Sequence, residues 1–148
     1  AAGCQLVASC DLAYASENSK FATPGVNIGL FCSTPMVALS RVVKSKHSME
    51  MLLTGDFIDA NKAKNIGLIN NYFSEDSLVD EIRQMANKIA NKSSQTVKIG
   101  KKAFYNQAQM KTDDAYKYAS EIMIENMMNQ DSDEGISAFL EKREPNWS

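Results

Sequence analysis

The chain opens with Ala1-Ala2-Gly3-Cys4-Gln5-Leu6, a run of small residues typical of a helix start. A second informative stretch follows about twenty residues later and reads Phe21-Ala22-Thr23-Pro24-Gly25-Val26-Asn27-Ile28-Gly29-Leu30. Small residues at the start of a predicted helix let a ligand oxygen approach the main chain closely. The first turn of a helix also offers free N–H groups at the positive end of its dipole. The two stretches therefore predict a site in which backbone amides, more than side chains, face a ligand.

Composition restricts the class of protein. Of the 148 residues, 44% are hydrophobic and 23% are charged, which is typical of one globular domain or part of one. The formal net charge of −2 does not favour a nucleic-acid surface. No apolar run is long enough to cross a bilayer, so we expect no membrane association. The chain does not begin with Met and its first residues resemble the interior of a fold, so we expect a fragment that lacks any targeting region.

Cysteine and histidine usage argues against two kinds of site. Cys4, Cys10 and Cys32 form an odd set without a CxxC pair, which favours a reducing compartment and no disulfide framework. The only histidine is His47, and the carboxylates are scattered, so no metal site is predicted.

Residues 1–73 predict a small α/β portion. Its predicted elements are a helix over 3–9, strands over 11–15 and 20–22, helices over 35–43 and 46–54, a short helix between Asp59 and Gly67, and a strand over 68–73. Ser33 is the expected hydroxyl cap before proline at the first helical position, and Asp59 is the expected cap of the short helix.

Residues 74–148 predict a helical second half. An apolar stripe at 4-3-4 spacing marks the first of its helices and consists of Leu78, Ile82, Met85 and Ile89. Ser93 and Ser94 precede the next helix, and Thr112 is the expected cap of the one after it. Asp131 and Glu134 fit a reciprocal cap for a final helix that ends before Pro145.

Five motifs in a fixed order resemble the crotonase (enoyl-CoA hydratase/isomerase) superfamily. They are Ala2-Gly3-Cys4-Gln5-Leu6 with Cys10-Asp11-Leu12-Ala13, then Phe21-Ala22-Thr23-Pro24 with Gly29-Leu30, Met49-Glu50-Met51-Leu52-Leu53-Thr54-Gly55, Ala60-Asn61-Lys62-Ala63 with Gly67-Leu68, and Glu134-Gly135-Ile136-Ser137-Ala138-Phe139-Leu140-Glu141-Lys142-Arg143. The resemblance implies the C-terminal part of an α/β crotonase-like (ClpP/crotonase spiral) fold. Residues 1–73 would belong to the α/β core, and residues 74–148 would form a helical region used in oligomerisation.

The resemblance also implies a thioester site. The backbone amide of Ala2 would be one of two donors to the thioester oxyanion. Gln5 and Gly25 fall where family hydratases carry two glutamates, and Ser33 falls near a carboxylate of the isomerase branches. Neither an amide nor a glycine can act as a general acid or base, so ordinary water addition is not expected. Pro24 and Cys32 would line the acyl pocket.

Phe139 and Lys142 match the family's aromatic and lysine at the adenine and phosphate end of coenzyme A. Three positions apart, they would share one face of the last helix. Coenzyme A would enter only as part of an acyl-CoA thioester substrate, with no separate cofactor. The resemblance further implies a homotrimer or a dimer of trimers, in the mitochondrial matrix or the cytoplasm.

Several of these residues also fit purely structural roles. Ala2 and Gly3 also suit a tight helix contact, and Lys142 also suits a solvated helix end. Cys32 as a nucleophile would need a neighbouring base, and His47 is predicted on a different helix. Two alternatives to an enzyme therefore stay open: a non-catalytic acyl-CoA binder or regulator, and an oligomerisation module that binds nothing.

Overall fold

The computed structural model describes residues 1–148, which divide into two compact units, Ala1–Gln84 and Met85–Ser148. The division falls inside a helix, at a later position than the predicted boundary after residue 73. None of the helices combines the length and the apolar character that crossing a membrane requires.

The first unit is built from short helices around two small sheets. Its helices are α1 (Ala2–Ser9), α2 (Ser33–Val42), α3 (Ser45–Thr54), α4 (Ala60–Asn65) and the start of α5 (Glu75–Ala90), with a 3₁₀ helix over Pro24–Ile28. Its strands are β1 (Tyr14–Ser16), β2 (Lys20–Phe21), β3 (Ile58–Asp59) and β4 (Asn71–Phe73). β1 pairs with β4 in parallel, with Ala15 opposite Tyr72. β2 pairs with β3 in antiparallel fashion, with Phe21 opposite Ile58.

All three predicted strands are shorter in the structure: the strand predicted over 11–15 is Tyr14–Ser16, that over 20–22 is Lys20–Phe21 and that over 68–73 is Asn71–Phe73. The amides of Leu68 and Ile69 donate to the carbonyl of Ala63, so this segment closes α4 and cannot join the sheet. β4 therefore begins only at Asn71. β3 is two residues long and was not predicted. An alternating pattern needs about four residues to be recognised, which explains that omission.

The predicted helix ends of the first unit have mixed outcomes. The cap at Asp59 is confirmed, since its Oδ1 accepts the Lys62 amide at 2.7 Å. The stop at Gly55 is confirmed too, with φ of 68° in the left-handed region. The cap at Ser33 is wrong, because Cys32 holds the N-cap position and Ser33 is the first residue of α2.

An apolar core fixes helices α1 to α4 around one another. Its most deeply buried members are Leu39, Val43, Met51, Leu52, Ala60 and Ala63. Two buried hydroxyls lie in this unit, and both are paired: Thr23 donates to the Met51 carbonyl at 2.9 Å and Ser48 donates to the Val43 carbonyl at 3.0 Å. The Thr23 bond joins the segment before Pro24 to α3, since a buried hydroxyl without a partner would be costly.

The second unit contains the end of α5, then α6 (Ser94–Gln107), α7 (Thr112–Met127) and α8 (Gln130–Glu141). The Ser93 hydroxyl caps α6 by accepting the Thr96 amide at 3.1 Å. The predicted cap at Thr112 is wrong by one residue, because Lys111 holds the N-cap position of α7 and makes no side-chain cap bond. The reciprocal cap of Asp131 and Glu134 is also wrong: Asn129 precedes α8, and both carboxylates bind partners beyond its first turn.

Candidate functional site

The N-terminus of α1 lies beside a cavity of about 360 Å³. α1 has no side-chain cap, and the Ala2 amide donates to no acceptor within the protein. Ala1 and Gly3, on either side of Ala2 in the chain, line this cavity together with Pro24 and Phe57. A free amide at a positive helix end next to open space can bind an electron-rich oxygen.

Cys4 also lines this cavity and is buried. Burial is the largest influence on the Cys4 thiol and raises its pKa. The thiol is therefore held in its protonated form, which is a poor nucleophile. Cys4 thus contributes packing and polarisability to the cavity wall.

Gly25 lies in the 3₁₀ helix, enclosed by the segment that follows it. Its amide donates to Cys32 Sγ at 3.3 Å, and its carbonyl accepts the Leu30 amide at 2.9 Å. A Cβ at this position would stand 2.4 Å from the Leu30 carbonyl oxygen and 2.8 Å from Cys32 Sγ. No side chain fits there without displacing the backbone.

Cys32 and Ser33 have different surroundings although they are adjacent. Cys32 is buried beside Gly25, whereas Ser33 is exposed and its hydroxyl donates to the Phe31 carbonyl at 3.3 Å. His47 is bound elsewhere, with Nδ1 3.8 Å from Glu50 Oε2. No base is in contact with the Cys32 sulfur, which agrees with a packing role for this thiol.

The predicted site residues of the first unit are only partly brought together. Pro24 shares the cavity with the start of α1, and Gly25 contacts Cys32. Gln5 is half-buried on α1, and its side chain makes no hydrogen bond within the protein. Gln5, Gly25, Cys32 and Ser33 do not line the cavity. No three side chains of the metal-ligating types cluster anywhere in the structure.

Phe139 lies in the second unit and is 82% exposed. It borders a groove of about 600 Å³ that is lined mainly by apolar side chains, among them Val97 of α6, Ile136 of α8 and Trp147 from the segment after α8. Lys142 is exposed, but α8 ends at Glu141 and Lys142 has a left-handed backbone with φ of 56°. The prediction that the two share a helical face is therefore wrong for Lys142, which lies one residue past the helix.

The segment after α8 folds back as a strap, here defined as residues 143–148. Arg143 binds Glu134 through two nitrogens, at 2.6 and 3.0 Å, and the Asn146 amide donates to the same carboxylate at 2.7 Å. These bonds lower the pKa of Glu134 to about 2, with the Arg143 hydrogen bond as the largest cause. The hydrogen bond to Glu134, followed by that to Glu141, raises the pKa of the Arg143 guanidinium.

The end of the strap is held by a second carboxylate. Asp131 accepts the Ser148 amide at 2.9 Å, the Ser148 hydroxyl at 2.8 Å and the Ser93 hydroxyl at 2.5 Å. The Ser148 amide is the largest cause of the lowered pKa of Asp131. Trp147 donates from Nε1 to the Asn91 carbonyl at 2.9 Å, and its ring lies 3.3 Å from where a Cβ at Gly135 would be.

The strap does not follow from the sequence pattern. Pro145 predicts only the end of a helix, and the spacing of Asp131 and Glu134 predicts a helix cap. One signal was available: Arg143 follows a helix rich in carboxylates, and arginine is well suited to binding a carboxylate with two nitrogens.

Comparison with known proteins identifies relatives of this chain. The family model described as enoyl-CoA hydratase/isomerase matches residues 1–148. Enoyl-CoA hydratase domain-containing protein 3, mitochondrial, of Xenopus laevis is 51% identical over the whole chain, which covers 50% of that relative. The mitochondrial enoyl-CoA hydratase of Pongo abelii is 34% identical over 98% of the chain and is covered to 50%.

Solved structures agree with the sequence relatives. An enoyl-CoA hydratase of Mycobacterium smegmatis superposes with a TM-score of 0.97 at 51% identity, over 99% of this chain and 57% of that one. Human enoyl coenzyme A hydratase domain-containing protein 3 superposes with a TM-score of 0.96 at 51% identity, over 99% and 58%. The chain spans about half the length of the sequence relatives it matches.

Proposed function

The chain belongs to the enoyl-CoA hydratase/isomerase family, and from that premise we propose that it binds an acyl-CoA thioester and stabilises negative charge on the thioester oxygen. Its fold is the predicted crotonase-like α/β fold, as the superposed family structures show. Its similarity to proteins named enoyl-CoA hydratase supports the thioester as the class of ligand.

The observation that carries the proposal is the free Ala2 amide beside the cavity. A thioester oxygen placed there would accept this N–H at the positive end of α1. Loss of one such donor typically costs ~3–4 kcal/mol of transition-state stabilisation. In this proposal Pro24 forms part of the wall against which the acyl group lies.

The residues at the positions expected to carry acid and base groups do not support hydration of an enoyl-CoA. Gln5 has no useful pKa for proton transfer, and Ser33 is exposed with its hydroxyl bonded to a carbonyl. Gly25 has no room for a side chain. We therefore expect no ordinary hydration from these positions. The enclosure of Gly25 specifically favours a second candidate, a non-catalytic acyl-CoA binder or regulator.

The nucleotide end of coenzyme A is assigned to the second unit. Phe139 offers an exposed ring for stacking against adenine, and Lys142 offers an ammonium that is engaged in no ion pair. Coenzyme A enters as part of the substrate, without a separate cofactor. The second unit also exposes several large apolar side chains, which supports a homotrimer or a dimer of trimers; they include Tyr116, Met128, Phe139 and Leu140. The names of the relatives favour a mitochondrial location over a cytoplasmic one.

Two measurements on the full-length protein test the proposal. Coenzyme A and an acyl-CoA should raise the melting temperature, because a ligand stabilises the state that it binds. Turnover is then measured with crotonyl-CoA and with longer 2-enoyl and 3-enoyl thioesters. Protection with turnover supports an enzyme, and protection without turnover supports the binder. Absence of protection by either ligand would contradict both and leave the oligomerisation module.

A further inference from the structure

Lys142 occupies a backbone position that normally belongs to glycine. The Lys142 amide donates to the Phe139 carbonyl at 3.3 Å, and the Arg143 amide donates to the Ala138 carbonyl at 3.0 Å. These two bonds form a Schellman motif, whose first residue beyond the helix must be left-handed. Lys142 has this left-handed conformation, with φ of 56°. It is the only residue other than glycine with a positive φ in the structure.

A lysine at this position strains the backbone, since its Cβ crowds the carbonyl in the left-handed region. Glycine would give the same turn without strain. Strained residues persist where surrounding contacts hold them, and they concentrate at functional sites. The chain thus has a lysine ammonium at the end of α8, although glycine would form the same turn without backbone strain.

The contacts that hold this turn come from the residue directly after it. Arg143 is fixed by the two-nitrogen bond to Glu134, and its Nε contacts Glu141 at 2.6 Å. Glu134 also accepts the Asn146 amide, so one carboxylate anchors the strap at two points. Glu134 is the less exposed partner of its ion pair, with 22% of its side chain accessible against 41% for Arg143.

We propose that Glu134 is a positioning residue, which through Arg143 holds Lys142 in its left-handed turn and directs the ammonium toward the 3′-phosphate of coenzyme A. This inference rests on the proposed nucleotide role of Lys142. Glu134 itself, as an anion, would not contact the phosphate. Its effect on binding passes through the geometry of the turn alone.

The test compares the affinities of the full-length protein for coenzyme A and for dephospho-coenzyme A, which lacks the 3′-phosphate. Lys142→Ala should reduce the preference for coenzyme A about tenfold, as expected for one charge-assisted contact. Glu134→Gln should reduce it about threefold while Lys142 is still present. Asp133→Asn, which removes an exposed carboxylate on the same helix that makes no ion pair, is the matched control and should leave the preference unchanged.

A second pair of variants separates positioning from folding. Lys142→Gly should raise the melting temperature and still lose the preference, because it relieves the strain and removes the ammonium. Ser148→Pro, which removes both the amide and the hydroxyl that donate to Asp131, should lower the melting temperature with a smaller effect on the preference. If Glu134→Gln does not fold, this Ser148 variant measures the effect of the strap on the preference instead.

The outcomes distinguish this inference from the function on which it rests. If Lys142→Ala changes the preference and Glu134→Gln lowers only the melting temperature, Glu134 is structural and the positioning role is wrong. If Lys142→Ala leaves the preference unchanged, the phosphate contact itself is wrong, and the positioning role is overturned with it. Loss of preference in both variants, with Asp133→Asn unaffected, supports the inference.

Discussion

The sulfur of Cys32 occupies the space that a side chain at Gly25 would need. The Gly25 amide donates to this sulfur at 3.3 Å, and a Cβ at Gly25 would stand only 2.8 Å from it. The Leu30 carbonyl closes the same space from another side, at 2.4 Å. A position at which the family resemblance implies a glutamate is thus filled by the protein's own atoms.

Gly25→Ala should lower the free energy of unfolding by about 1–3 kcal/mol, the usual cost of forcing an extra methyl into a packed site. Gly100→Ala is the matched control, because nothing lies within 4 Å of its added Cβ in α6. That variant should gain about 0.5–1 kcal/mol from better helix propensity. Urea denaturation measures both. Equal effects in the two variants would show that Gly25 is not enclosed.

Gly25→Glu should not produce hydration of crotonyl-CoA, because the carboxylate cannot enter its position without displacing the segment around Leu30. The assay follows loss of the enoyl absorbance beside that of the parent protein. A clear gain of hydration in this variant would show that the segment yields, and that only the missing carboxylate prevents the reaction.

Leu52→Ala should cost about 2–5 kcal/mol of unfolding free energy, because Leu52 is 2% exposed in the core of the first unit. Its neighbour Leu53 is 60% exposed on the same helix and serves as the control. Leu53→Ala should change the free energy of unfolding by less than about 0.5 kcal/mol. A comparable loss in the second variant would mean that Leu53 is covered in the assembled protein.

Asp59→Ala should destabilise the protein by about 1 kcal/mol, since it leaves the Lys62 amide without its cap. Asp59→Asn retains a side-chain oxygen that can accept the same bond. It should therefore recover most of the loss in a thermal or urea unfolding experiment. If both variants lose the same amount, the charge of Asp59, and not its cap bond, supports α4.

The stability contributed by Glu134 should disappear in acid. Its pKa is lowered from 4.5 to about 2 in the folded protein, so the folded state favours the charged form. The contribution is therefore complete above pH 4.5 and is lost as the pH falls toward 2. Glu134→Gln should melt below the parent at neutral pH, and the difference in melting temperature should shrink through this window. A difference that is constant with pH would show that the carboxylate's charge is not involved.

Much of the fold could be predicted from the sequence because its signals are local. The apolar stripe of Leu78, Ile82, Met85 and Ile89 predicts α5, and Asp59 and Gly55 mark helix ends through bonds within a few residues. The caps at Ser33 and Thr112 were misplaced by one residue, since a hydroxyl inside the first turn gives the same sequence pattern as one before it.

The site was harder to predict because it depends on distant partners. Asp131 and Glu134 have the spacing of a cap, yet their partners are Ser93, Arg143 and the strap. The left-handed turn at Lys142 was hidden because lysine rarely adopts it. The family resemblance indicates a role for Lys142, but its left-handed backbone is seen only in the structure.

The contact between Gly135 and the ring of Trp147 links two positions in evolution as well as in space. A lineage that enlarges residue 135 has to accept a smaller ring at 147 or a strap that moves away from α8. Substitutions at the two sites should accordingly occur as pairs among descendants, and a glycine at the first should accompany a bulky aromatic at the second.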